Sequence, residues 1–174
     1  MESALTGTPG VGKTTVAKIL EKKGYNTLDL NEFIRENDLI EGEDRERGAF
    51  EVDTELLRRA FNREKAEYDI VEGHLSHYLK ISPTIVLRCS PDELKDRMEK
   101  KRWDQKKIKE NTEAEALDII LVEALEVCDQ VYEIDTTEKT PEKVTECVME
   151  ILEKRPDDYT PGSIDWSEDY FFGR

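Results

Sequence analysis

Eight consecutive residues near the start of the chain have the types and spacing needed to hold a polyphosphate. Residues 7–14 read Gly-Thr-Pro-Gly-Val-Gly-Lys-Thr and fit G-x-x-x-x-G-K-[ST] in full. The glycines permit a tight turn whose N–H groups converge on phosphate oxygens at a helix N-terminus. Lys13 would then reach the β- and γ-phosphates, and the Thr14 hydroxyl would ligate Mg²⁺. These residues predict a site for a magnesium–nucleoside triphosphate.

The segments on either side of this loop match the structural context that the motif requires. An apolar run at residues 4–6 predicts a strand before it, and residues 14–20 predict an amphipathic helix after it. A glycine-rich turn that fits the pattern by chance is the alternative. Strand and helix in the right places favour the phosphate-binding interpretation.

A second group of chemically capable residues follows a predicted strand at residues 68–72. Glu72 would lie at the carboxyl end of that strand, the edge where open α/β sheets bind ligands. There it could hold Mg²⁺ through water or orient a nucleophile, or it could be an ordinary solvated acid. His74 favours a role near the γ-phosphate, whereas His77 is read equally well as a surface histidine. Two histidines alone are weak evidence for a metal site.

Basic residues in the second half of the chain could serve phosphoryl transfer. Arg97 and Arg102 flank a predicted helix junction, where arginines can stabilise the migrating negative charge. The neighbouring lysines 100, 101, 106 and 107 are better explained as a charged helix surface. A sequence of the N-K-x-D type is absent, which weighs against a GTPase, and residues 136–139 could flank a base.

Composition limits the class of protein and its partners. The chain has 174 residues, 39% of them charged, and a formal net charge of −15, which argues against direct nucleic-acid binding. No apolar run of about 18 residues predicts a membrane span. Cys89, Cys128 and Cys147 lack metal spacing and predict reduced, mostly buried thiols. The expectation is a cytoplasmic protein.

Strands alternate with helices along the chain, which predicts a parallel sheet covered on both faces. The clearest strand is residues 84–88, followed by a helix that Ser90 caps, with Pro91 at its first position and Glu93 completing a capping box. We also expect a short helix capped by Asn31, an exposed loop at 41–48, a helix from Asp53 to about residue 66, and one long helix over 106–127.

These motifs in this order resemble the P-loop nucleoside monophosphate kinases. The chain is most similar to the small adenylate kinase family of archaea and eukaryotic nuclei, also known as a ribosome-assembly ATPase. The resemblance rests on Leu-Thr-Gly-Thr-Pro-Gly-Val-Gly-Lys-Thr-Thr at 5–15, on Val-Glu-Gly-His at 71–74, and on residues 97–111 with the following helix. It covers about residues 1–154. An acidic, aromatic tail at 155–174 lies outside it and could dock on the domain or on a partner.

The resemblance implies a three-layer P-loop kinase fold with a five-stranded parallel sheet. Residues 29–52 would form the monophosphate-binding segment, with Asp29 and Arg35 binding the substrate, and residues 101–111 a short lid. Arg102 would reach the nucleotide, and Thr14 with Glu72 would hold the metal. Glu72 stands where the family usually has Asp, and the D-G-x-P-R motif of ordinary adenylate kinases is absent. The ATP phosphate site would comprise Gly7, Gly10, Val11, Gly12, Lys13, Thr14 and Thr15.

The activity implied by the resemblance is Mg²⁺-dependent transfer of a phosphoryl group from ATP to AMP, giving two ADP. Lys13, Glu72, His74, Arg97 and Arg102 would be the catalytic residues. An ATPase switch acting on a basic small-subunit ribosomal protein is the second hypothesis, with kinase activity incidental. A kinase for a small metabolite on the same fold is the third.

Overall fold

The computed structural model describes residues 2–44, 49–64 and 67–173, and its centre is a parallel sheet of five strands. The strands of this sheet are β1 (Ser3–Thr6), β2 (Thr27–Asp29), β5 (Ile70–Glu72), β6 (Thr84–Arg88) and β7 (Val131–Asp135). Their order across the sheet is β2-β5-β1-β6-β7, and all neighbouring pairs run parallel. From β1 the chain forms β2 and β5 on one side of β1 and then crosses to form β6 and β7 on the other side. β1 therefore lies at the switch point of the sheet, and the loop after β1 lies at the edge where ligands bind.

Helices cover both faces of the sheet. They are α1 (Lys13–Lys22), α2 (Leu30–Glu36), α3 (Thr54–Phe61), α4 (Pro91–Lys100), α5 (Gln105–Ala116), α6 (Ile119–Val127), α7 (Pro141–Lys154) and α8 (Ser167–Phe172), with short 3₁₀ turns at Ser76–Leu79 and Asp157–Tyr159. Within β6, Ile85 and Leu87 join a core with α1, α4 and α7, while Val86 packs against α6 on the opposite face. The alternation gives three layers, as predicted.

The helix starts follow local sequence chemistry. Ser90 caps α4, with Pro91 at its first position, and Thr140 caps α7 in the same way before Pro141. The predicted capping box at Glu93 is wrong in its second half. The Glu93 carboxylate accepts hydrogen bonds from Arg97 and from the backbone N–H of Glu138.

The predicted long helix over 106–127 is two helices. Helix α5 ends at Ala116, and α6 begins at Ile119 after Asp118 adopts a left-handed conformation with φ 56°. The Asp118 carboxylate and the Glu115 backbone carbonyl both accept hydrogen bonds from Arg88 on β6. A buried cation thus draws the chain out of helical geometry, which the apolar periodicity of the segment does not reveal.

Three other expectations need correction. Asp29 rather than Asn31 caps α2, because its carboxylate accepts from the N–H groups of Asn31 and Glu32. The segment predicted as a loop at 41–48 contributes strand β3 (Gly42–Asp44), which pairs antiparallel with β4 (Ala49–Glu51), while residues 45–48 lie outside the described part. Helix α3 ends at Phe61 and is capped by Asp53; residues 65 and 66 of its predicted end are not described.

The tail beyond Arg155 is docked on the domain. Tyr159 packs against the main core and its hydroxyl donates to the Glu150 carboxylate at 2.9 Å. Farther along, α8 places the Tyr170 hydroxyl 3.0 Å from that of Thr112 on α5. Across the described residues, no helix combines the length and apolar character needed to cross a membrane.

Candidate active site

The loop between β1 and α1 has the geometry of a phosphate-binding turn. Gly7 lies at φ 136° so close to β6 that a Cβ there would come within 2.3 Å of the Leu87 carbonyl oxygen. Gly12 is the N-cap of α1 in a left-handed conformation, at φ 116°. Side chains at these two positions would block the close approach or strain the turn. The loop therefore presents its backbone at the N-terminus of α1, as an anion site requires.

Lys13 is held inside this loop. Its ammonium group donates to the backbone carbonyls of Gly7 at 2.6 Å and Thr8 at 3.1 Å. Burial lowers the pKa of Lys13 to about 8, although the carboxylates of Glu72 and Glu115 oppose the shift. A phosphate group arriving beside Lys13 would favour its charged form, so the side chain is held where an anionic ligand stabilises it.

Oxygen ligands suited to a hard cation meet beside the loop. Glu72 is only 2% exposed, and its carboxylate accepts a hydrogen bond from the hydroxyl of Thr14. Burial raises the pKa of Glu72, and the nearby charge of Asp29, its register partner on β2, raises it further. Carboxylate and hydroxyl oxygens are the ligands that Mg²⁺ prefers. The described residues contain no cluster of three or more His, Cys, Asp or Glu side chains able to hold a metal by themselves.

The two histidines differ in position. His74 is half-buried after β5, and burial together with the charges of Lys13 and Lys107 lowers its pKa to about 4. His77 is fully buried, so its interpretation as a surface histidine is wrong. Its Nδ1 lies 3.1 Å from the Thr6 hydroxyl, and its Nε2 lies 3.3 Å from the Glu123 carboxylate without hydrogen-bond geometry. The charge of Lys13 thus acts on the pKa of His74 but is not among the causes of the shift in His77.

A cleft of about 580 Å³ opens beside the loop on the side of α4 and α7. Arg97 lines it and donates to the backbone carbonyls of Val11 and Thr136, each at 2.9 Å. Its guanidinium thus ties the phosphate loop to the turn after β7. The cleft offers apolar contacts from Val16 and Val144 beside basic side chains, which suits a base and a ribose next to a polyphosphate.

Other predicted residues lie elsewhere. Arg102 is exposed just after α4, in a left-handed conformation, and is not among the residues lining the cleft. Arg35 is exposed in the last turn of α2. By contrast Lys100 and Lys101, interpreted from sequence as helix surface, line the cleft together with Lys139. Their spacing of three and four residues from Arg97 on one helix is the signal that could have identified them.

Sequence reasoning also missed a buried charge cluster next to the loop. Arg88 on β6 is 1% exposed and donates to Glu115 at 2.8 Å and to Glu133 at 2.6 Å. The other carboxylate oxygen of Glu115 accepts from the hydroxyl of Thr8 in the phosphate loop. An arginine in an otherwise apolar strand, Thr-Ile-Val-Leu-Arg, was the available signal.

Comparison with known proteins agrees with this geometry. A family model described as an AAA domain matches residues 4–118. A Thermococcus kodakarensis protein named "Putative adenylate kinase" is 44% identical over 169 residues, covering 96% of this chain and 93% of the relative. The chain belongs to this family of P-loop kinases. Relatives of the same printed name occur in Archaeoglobus fulgidus, at 46% identity over 94% of this chain and 90% of the relative, and in Methanocaldococcus jannaschii, at 37% over 98% and 96%.

Solved structures confirm the fold of this kinase family. Shikimate kinase from Bacteroides thetaiotaomicron superposes with a TM-score of 0.54 at 22% identity, covering 88% of this chain and 98% of that one. An uncharacterized protein from Eubacterium ventriosum gives the same TM-score at 18% identity, over 89% and 99% of the two chains. At these identities the likeness concerns the fold alone. The predicted α/β P-loop kinase fold is thereby confirmed, while the kinase class is supported by the relatives named "Putative adenylate kinase".

Proposed function

We propose that this protein transfers the γ-phosphoryl group of ATP to AMP and releases two ADP. The observation that supports it best is the loop itself, in which Lys13 is buried against the carbonyls of Gly7 and Thr8, while Gly10, Val11 and Gly12 of the same loop line the cleft. The shared name of relatives at 37–46% identity favours adenylate as the acceptor. The cleft next to the loop, where the base of ATP would bind, is consistent with both the kinase activity and adenylate as the acceptor.

Each residue then has a positional role. Lys13 and the loop amides hold the β- and γ-phosphates, and Arg97 fixes the loop against the turn after β7 so that the phosphates stay in line. Lys100 and Lys101, rather than Arg102, lie where they can approach the phosphates from α4. Because phosphoryl transfer needs little proton movement, positioning and charge neutralisation supply most of the catalysis.

Thr14 and Glu72 are the residues that would hold Mg²⁺, which would neutralise phosphate charge when bound. The hydroxyl and carboxylate already meet, and the hard oxygen atoms fit that ion. His74, whose pKa of about 4 leaves it neutral at pH 7, can orient the attacking oxygen by hydrogen bonding. Asp29, beside Glu72, and Arg35 on α2 are proposed to bind the acceptor, with closure of the 29–52 segment bringing Arg35 inward.

The test follows all products at once. Purified protein is incubated with Mg²⁺ and ATP, with and without AMP, while ATP, ADP, AMP and free phosphate are quantified. We expect AMP to disappear with two ADP formed for each AMP consumed and little free phosphate. Release of phosphate at a rate indifferent to AMP would overturn the assignment of AMP as acceptor. Arg35→Ala, expected to raise the KM for AMP more than that for ATP, then tests the acceptor site.

The second candidate is an ATPase that acts together with a basic protein partner, which the sequence resemblance suggests is a small-subunit ribosomal protein. The net charge of −15 favours a basic partner. In that case His74 would orient water instead of an acceptor phosphate. Hydrolysis without AMP that a basic small-subunit protein stimulates, and that polylysine of similar charge does not, would favour this candidate over the kinase.

A further inference from the structure

Residues 156–172, which we term the carboxyl segment, contact α7, β7 and α5 and cover one buried cation. The backbone N–H of Gly162 donates to the Glu133 carboxylate at 2.9 Å. The ring of Trp166 stacks over the Arg88 guanidinium, whose carbon lies 5.1 Å from the ring centroid. The carboxyl segment thus closes the solvent side of Arg88, which is 1% exposed.

Beneath the carboxyl segment, Arg88 is surrounded by carboxylates. It donates from Nε to Glu115 at 2.8 Å, from Nη1 to Glu133 at 2.6 Å, and from Nη2 to Asp118. Burial lowers the pKa of the guanidinium, but the charges of Glu115 and Asp118 outweigh it and raise that pKa overall. Such bonds are strong because water is kept out of them.

The charge cluster continues into the phosphate loop. Glu115 accepts from Arg88 through one oxygen and from the Thr8 hydroxyl through the other. The backbone carbonyl of Thr8 in turn accepts from the Lys13 ammonium group at 3.1 Å. A chain of direct contacts therefore runs from Trp166 through Arg88, Glu115 and Thr8 to Lys13.

The carboxyl segment also touches α5, the helix that includes residues 105–111 of the predicted lid. The Tyr170 hydroxyl lies 3.0 Å from that of Thr112, one turn before Glu115 on α5. The same helix ends where Arg88 draws Asp118 out of helical geometry. Both contacts hold α5 in the position from which Glu115 reaches the loop.

We propose that Arg88 and Trp166 are positioning residues for phosphoryl transfer. The carboxyl segment acts as a cover that excludes water from the Arg88–Glu115 pair and so holds the phosphate loop in its position. The inference rests on the proposed kinase activity of the loop. Without the cover, water would reach Arg88, weaken its hold on Glu115 and loosen Thr8 and Lys13. A displacement of about 1 Å at a reacting group can cost on the order of 100-fold in rate, so even partial loosening is measurable.

The experiment removes the stacking ring and separates turnover from binding. Trp166→Ala is expected to lower kcat about tenfold while leaving the KM for ATP within about twofold, because the cleft that holds the base is untouched. Trp166→Phe keeps an aromatic face over Arg88 and should restore most of the turnover. Phe172→Ala is the matched control, since this α8 side chain is 77% exposed, and it should behave as the original protein.

Three results would overturn the proposal: kcat within twofold in Trp166→Ala, an equal loss in Trp166→Phe, or an equal loss in Phe172→Ala. Far-UV circular dichroism and the melting temperature establish that each variant is folded. If Trp166→Ala is not folded, the test uses Tyr170→Phe instead, because this variant lacks only one hydroxyl group. Its kcat should fall about twofold, and an unchanged kcat would contradict the proposal. ATP consumption is measured with and without AMP, so failure of AMP as acceptor is seen separately from failure of the cover.

Discussion

Two cationic side chains are buried in or near the phosphate loop, and the structure compensates their charges to different extents. Lys13 donates to two backbone carbonyls, and its pKa falls to about 8. Arg88 donates to three carboxylates, and its pKa rises. The charge of Lys13 is thus disfavoured by the folded protein alone, whereas the charge of Arg88 is fully compensated.

This difference distinguishes a ligand-binding site, around Lys13, from a structural charge cluster, around Arg88. A buried charge with incomplete compensation destabilises the fold until an anion arrives, and perturbed groups of this kind concentrate at functional sites. A compensated charge needs no ligand, but removing it leaves the buried carboxylates of Glu115 and Glu133 without their cation. The two regions should therefore respond in opposite directions when their cations are replaced.

The largest effect is expected on catalysis when Lys13 is replaced. Lys13→Met should lower the kcat for phosphoryl transfer about 1,000-fold, equivalent to about 4 kcal/mol, because the migrating charge loses its fixed cation. The measurement is ADP formation in the presence of ATP and AMP, with folding checked by circular dichroism. Near-normal turnover would remove Lys13 from the mechanism. Lys154→Met, at an exposed position on α7, is the matched control.

Replacing Arg88 should mainly lower stability. Arg88→Met leaves the buried carboxylates of Glu115 and Glu133 without their cation, which should cost about 3 kcal/mol of unfolding free energy. Urea denaturation measures it. Lys143→Met breaks an exposed ion pair with Glu146 and should cost less than about 0.5 kcal/mol. Equal losses in the two variants would mean that the buried cluster is no more than surface charge.

Replacing Lys13 by Met should raise the stability of the protein, whereas replacing Arg88 lowers it. Because the pKa of Lys13 is about 8 in the folded protein and has its ordinary value of 10.5 in an unfolded chain, the unfolded state binds more protons between these pH values. Stability of the original protein therefore rises with pH across this window. Without nucleotide, Lys13→Met should be the more stable protein by about 3 kcal/mol at pH 7, and this gap should close toward pH 10.5. A constant gap across the window would contradict the assignment.

The loop region was largely predictable from sequence, and the Arg88 region was not. Strand, glycine turn and helix are encoded by neighbouring residues, so the motif alone places Lys13 and Thr14. The Arg88 cluster joins β6, α5, β7 and the carboxyl segment. Two of its carboxylates, Glu115 and Glu133, lie 27 and 45 residues after Arg88 in the sequence. No local sequence pattern predicts contacts between residues so far apart in the chain. The break in the predicted long helix has the same origin, since apolar spacing continues through Asp118 while Arg88 bends the backbone there.

The smallest effects should distinguish the two histidines. His77 is buried with its pKa lowered to about 4, so its neutral form is favoured in the folded state and stability falls as the pH drops from 6.5 toward 4. His77→Gln should flatten this acid limb of stability by about 1 kcal/mol, measured by urea denaturation at pH 4.5 and 6.5. His74→Gln should instead lower kcat about tenfold at pH 7, because we propose that this neutral imidazole orients the attacking oxygen. If His77→Gln lowers kcat as much as His74→Gln does, His74 no longer has a catalytic role that His77 lacks. The buried histidine would then have to be assigned to the active site as well.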